Sequence, residues 1–133
     1  MPKHVLVPVD GSDHSWDAFD FAVEEHDETA VTALYVINPL EGDYEPSEDT
    51  AEAVKRSEKI ETAVLERETG QKHPTFVTRN GRPADEIVDY ANTEDIDQIV
   101  MGSRGLSGVK RVLLGSVAET VVRRAETPVN IVR

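Results

Sequence analysis

Five short apolar runs, regularly spaced and separated by stretches of helical periodicity, constrain this chain most. They are "HVLVPV" (4–9), "AVTALYVI" (30–37), "PTFVT" (74–78), "DQIVM" (97–101) and "PVNIV" (128–132). Each is short enough to be a buried strand, and the first is rich in Val, as parallel strands are. Ser12 can cap a helix in which Trp16, Phe19, Ala22 and Val23 share one face. Residues 38–50 read as a loop, with two Pro, one Gly and many acids. A long helix is expected from Ala51 to Glu68, with Ala53, Ser57, Ile60 and Val64 inward and Gly70 ending it. Pro83 opens a helix through Ile87 and Tyr90, and Val117, Val121, Val122 and Ala125 mark a last one. Strand and helix alternate five strands deep. The expectation is an α/β chain, one open five-stranded parallel sheet with helices on both faces and right-handed crossovers. Nothing divides residues 1–133, so they are expected to form one domain.

Charge narrows the partners. The chain has 26 acidic residues against 14 Lys and Arg, a net charge of -12. Nucleic acid and anionic membrane both repel such a surface. A high-salt cytoplasm suits it, because salt screens its self-repulsion; ordinary solubility accounts for it equally. There is no Cys, which excludes disulfides and thiolate metal sites. The opening residues lack the apolar run of a signal peptide, so a cytoplasmic location is expected. The four His, at 4, 14, 26 and 73, have no metal-ligand spacing and suit surface or packing roles.

One segment breaks the acidic pattern. Residues 101–116, "MGSRGLSGVKRVLLGS", hold half of the eight glycines and also Arg104, Lys110 and Arg111. From Gln98 to Ala118 there is no Asp or Glu. In an open α/β sheet, ligands bind beyond the carboxyl ends of the strands, where strand order reverses. With order 3-2-1-4-5, the loop beginning at Asp10 and this glycine segment flank that reversal. Glycines let backbone N–H groups approach an anion closely, and a helix N-terminus adds orphan donors and partial positive charge. Gly102 and Gly105 follow strand 4, while Gly115 and Ser116 open the last helix. The nine residues between can loop out and bring both ends round a phosphate chain.

These residues resemble the universal stress proteins, whose nucleotide-binding members carry G-x2-G-x9-G-[ST] after strand 4. Gly102, Gly105, Gly115 and Ser116 match that spacing. The opening "VLVPVDGS", the Gly81, Pro83 and Ile87 spacing, "IVMGSRG" and "LLGSVAETVVRRAETPV" extend the resemblance over the whole chain. It implies a Rossmann-like fold with order 3-2-1-4-5, often a homodimer, and ATP or a related adenine nucleotide as ligand. By the same resemblance Pro8, Val9 and Asp10 line the nucleoside end, and Val36 offers backbone groups to adenine. Met101 and Gly102 sit against the ribose. Arg104, Gly105, Gly115, Ser116, Val117 and Ala118 surround the phosphates. Some family members have a hydroxyl residue where this chain has Ala118, which removes one phosphate ligand.

Plainer readings stand beside these. Ser116 with Glu119 spells a capping box, which needs no ligand, and Glu119 opposes a phosphate. Asp10 can cap the first turn, and Lys110 with Arg111 can be a solvated loop face. There is no G-x4-G-K-[ST] and no dinucleotide fingerprint after strand 1. Two functions follow: a nucleotide-binding stress-response or signalling protein acting by nucleotide-dependent conformation, or a dimeric interaction module that binds no nucleotide. Slow ATP hydrolysis with Mg2+ and Arg104 is a weaker third, since no general base is in evidence. A homodimer through strand 5 is expected, because "VNIV" has no internal Pro or Lys to block edge pairing. Gly102→Asp is expected to spoil binding and leave the fold intact.

Overall fold

The computed structural model describes residues 4–25, 30–38, 46–67, 74–103 and 114–133. Strands β1 (His4–Pro8), β2 (Ala30–Ile37), β3 (Thr75–Asn80), β4 (Gln98–Gly102) and β5 (Val129–Val132) alternate with four helices. These are α1 (Asp13–Glu25), α2 (Pro46–Glu66), α3 (Pro83–Thr93) and α4 (Ser116–Arg124). The sheet is wholly parallel with order β3-β2-β1-β4-β5, as expected.

Alternate residues along each strand serve opposite faces. Val5 and Val7 of β1 pack under α1 and α2, against Phe19, Ala22 and Val64. Leu6, between them, packs on the other face with Ile87 of α3 and Val121 of α4. The inward face read for α1 holds, since Phe19, Ala22 and Val23 are buried and Trp16 is packed against that core. Arg67, just past α2, lies 4.6 Å over the Trp16 ring and pairs with Asp20 at 3.0 Å, which ties α2 to α1.

Two expectations, both about α2, are corrected. Helix α2 begins at Pro46, inside the stretch read as a loop. Proline has the helical φ already set, which suits the first turn of a helix. The helix ends at Glu66, and Gly70 lies outside the described residues. In α4, Val122 is 45 % exposed, while Ala118 takes the buried place beside Val121.

Candidate functional site

The carboxyl end of the sheet is where strand order reverses: β1 pairs with β2 on one side and β4 on the other. Strand β1 ends at the half-buried Pro8, and Val9 is buried in the core. The Val9 N–H donates to the Leu34 carbonyl at 2.9 Å. The chain then turns at Gly11, whose φ of +88° favours glycine. Asp10 holds this turn through Oδ1, which accepts the Ser12 N–H at 2.9 Å. Ser12 caps α1 as expected, its Oγ accepting the Ser15 N–H at 3.2 Å. Asp10 therefore has the structural role its plainer reading gave it, at the edge of the reversal.

Strand β2 runs beyond β1. Its last residue paired with β1 is Leu34, opposite Pro8, yet it continues to Ile37. Because the Leu34 carbonyl points toward β1, the backbone groups of Val36, two residues on, point the same way. They face the side that β1 has just left. On the other side the Gly81 N–H closes on the Ile37 carbonyl at 2.9 Å.

Beyond β4 two chain ends meet. Met101 is buried in the core shared with α3 and α4. Gly102 is also buried, and a Cβ there would lie 2.5 Å from the His14 carbonyl oxygen. The missing side chain is thus demanded by the close approach of α1. That overturns the expectation that Gly102→Asp leaves the fold intact. Ser103 donates its N–H to the Val132 carbonyl at 3.1 Å, and its own carbonyl accepts the Gly115 N–H at 2.7 Å. Ser103 and Gly115 thus lie side by side. Arg104, Gly105, Lys110 and Arg111 lie outside the described residues.

Helix α4 starts without a side-chain cap. Gly115 is its N-cap, with φ −64° and ψ 162°, and Ser116 is the first helical residue. The capping box is therefore not formed, for Ser116 stands one position too late to cap. The first intrahelical bond runs from the Glu119 N–H to the Gly115 carbonyl at 2.9 Å. The N–H groups of Ser116, Val117 and Ala118 precede it and have no partner within the helix. Glu119 pairs with Arg123 one turn on, at 2.8 Å, which offsets its opposition to an anion. The Ala118 methyl is core, so this position offers an anion its backbone alone. Three aligned donors and the positive end of a helix dipole suit a phosphate.

His14, read from the sequence as a surface or packing residue, lies against Gly102. His14 lies in the first turn of α1, and its Nδ1 is buried with no hydrogen-bond partner among the described residues. Its place one residue after Asp13 gave no spacing signal; the contact with Gly102 is tertiary. Burial, then the charge of Glu94, pushes the Tyr90 phenol up from its ordinary value, against the lowering effects of Arg79 and a hydrogen bond with Thr32.

Comparison with known proteins agrees with this architecture. The sequence profile of the Universal stress protein family matches residues 1–133. A curated universal stress protein of Methanocaldococcus jannaschii is 37% identical over 145 residues, covering 98% of this chain and 82% of its own length. A solved universal stress protein from Lactobacillus plantarum superposes with a TM-score of 0.82 at 30% identity, covering 98% of this chain and 97% of its own. A universal stress protein solved in complex with cAMP matches with a TM-score of 0.64 at 28% identity, covering 99% and 97% of the two chains. One from Archaeoglobus fulgidus in complex with dAMP also gives 0.64 at 28% identity, covering 97% and 96%.

Proposed function

The chain belongs to the universal stress protein family, and from that premise we propose that it binds an adenine nucleotide, ATP or a close relative, and acts in stress response or signalling through its nucleotide-dependent conformation. The uncapped N-terminus of α4, tied by Gly115 to the end of β4, carries this reading. The relatives that hold cAMP and dAMP support an adenine nucleotide as the class of ligand.

In this reading the phosphates rest on the N–H groups of Ser116, Val117 and Ala118, close against Gly115, with Arg104 and Gly105 completing the cradle. The ribose lies against Met101 and Gly102. Pro8, Val9 and Asp10 border the nucleoside, and the backbone of Val36 reads the adenine edge. A triphosphate would bring Mg2+ with it, and the ion would neutralise part of the phosphate charge. The half-buried edge strand β5 and the exposed Val122 favour a second role, homodimer formation.

Two measurements test the reading. Mass spectrometry of small molecules released from the purified protein is expected to find an adenine nucleotide. Calorimetric titration of ATP, ADP and AMP is expected to give saturable binding. No binding at millimolar nucleotide rejects the reading in favour of an interaction module.

A further inference from the structure

Helices α1 and α4 lie on opposite faces of the sheet. The first packs on the core that holds Val5, Val7 and Val100, the second on the core that holds Leu6 and Ile99. Among the described elements α1 comes next after β1 and α4 next after β4, so both N-termini lie at the carboxyl end of the sheet. They flank the end of β4. On one flank Gly115 joins α4 to Ser103 at 2.7 Å. On the other, His14 presses on Gly102 so closely that its Cβ is 3.0 Å from where a Gly102 Cβ would stand. No side chain at 102 separates the two flanks.

The His14 imidazole carries a loose end. Its Nδ1 is shut off from solvent and has no hydrogen-bond partner among the described residues. A buried polar atom left unpaired forfeits its hydration with nothing in return, so such an atom points to a partner that arrives from outside the fold. Nδ1 is two bonds from the Cβ that crowds Gly102, which puts it beside the end of β4. With the proton on Nδ1, a neutral imidazole donates one N–H and needs no change of charge.

We propose that His14 is a phosphate-binding residue, a second arm of the cradle that faces the N–H groups of α4 across Gly102. The inference rests on the reading of that site as a phosphate cradle. An anion above β4 is then held from both faces of the sheet: by backbone donors of α4 on one side and by His14 Nδ1–H on the other. The arrangement also gives Gly102 a second purpose. By letting α1 approach, it brings the imidazole to the site.

The test compares the wild-type chain with His14→Leu and His14→Asn. Leucine fills similar space without a donor, whereas the asparagine amide can place its N–H near the position of Nδ1. Calorimetric titrations use ATP, tripolyphosphate and adenosine, with thermal melting as the folding check. His14→Leu is expected to bind ATP and tripolyphosphate roughly tenfold more weakly, the loss of one hydrogen bond to a charged group. Adenosine binding is expected to be the same in all three proteins, and His14→Asn to stay within about threefold of wild type for ATP. Unchanged ATP binding in folded His14→Leu overturns the role of His14 and leaves the cradle standing. An equal loss of ATP and adenosine binding also overturns it, since a structural role acts on both. If wild type binds neither ATP nor tripolyphosphate, the cradle and His14's part in it fall together. If tripolyphosphate binding depends on His14 while adenosine does not bind at all, the inference stands and the adenine assignment falls.

Discussion

Gly102 shows how one residue can serve a motif and a packing contact at once. The glycine spacing pointed to backbone approach by a phosphate, yet the nearest atoms to a Cβ here belong to the His14 backbone, which cannot swing aside. Gly102→Ala is therefore expected to destabilise the fold by about 1–3 kcal/mol, the usual cost of overpacking. Denaturant unfolding measures it, and an unchanged midpoint would mean that α1 yields freely. Tyr90 sets a second expectation. Burial and Glu94 raise its folded pKa above the ordinary value of 10.0. The folded state holds the proton more tightly than the unfolded one, so the full contribution is present below pH 10.0 and is lost as pH rises through the folded pKa. Tyr90→Phe is expected to flatten this alkaline limb while losing the hydrogen bond with Thr32. An alkaline limb as steep as that of wild type assigns the loss to another group. The packing contact at Gly102 was not legible in the sequence, because His14 is 88 residues away along the chain, whereas the glycine itself was.

Helix α4 is the element on which structure and function pull apart. A helix start with a glycine N-cap is a modest loss to stability and leaves donors open. Gly115 has φ −64°, which any residue adopts, so substitution there carries no backbone strain. Gly115→Asp supplies a capping carboxylate for the N–H groups of Val117 or Ala118. Stability is expected to rise by about a few tenths of a kcal/mol. Nucleotide affinity is expected to fall roughly tenfold or more, since the carboxylate takes the donors and repels phosphate. Thermal melting and calorimetry in parallel check both signs. Retained affinity in the capped variant would place the phosphates elsewhere. This opposition is cleaner than any substitution at Gly102, where binding and folding fail together. Among elements, the alternation of strands and helices was legible, as was the Ser12 cap. The start of α2 was not, because "PSEDT" suits a solvated loop as well as a first turn, and packing at Ile60 and Val64 further along decides between them.

At the scale of the molecule, charge and edge geometry govern. A net charge of -12 on 133 residues opposes compaction at low ionic strength. Melting temperature is expected to rise with KCl over a molar range, and a flat or falling trend would leave the acid as a solubility feature. Strand β5 is a sheet edge. The carbonyls of Pro128 and Val132 point toward β4, where they accept the N–H groups of Ile99 and Ser103. The backbone groups of Val129 and Ile131 alternate with them and turn outward. That row is open to pairing with a second copy. Light scattering is expected to report about twice the 14.7 kDa chain mass. A monomer at working concentration rejects the dimer.

Hydrophobic periodicity by itself determined the class of fold. A run of five apolar residues buries both faces only in a covered parallel sheet, and the helices between such runs must cover it. The family signature likewise lies in local spacing, in Gly102, Gly115 and Ser116, and local spacing survives in a linear string. Tertiary structure decided what the spacing meant. It moved Ser116 from helix cap to first helical residue, turned the Ala118 methyl into the core, and gave Gly102 to His14. It also brought an unpaired imidazole nitrogen to the end of β4. Each of these depends on where two distant segments touch. Contacts between segments are set by packing over the whole sheet, and no window of sequence contains them.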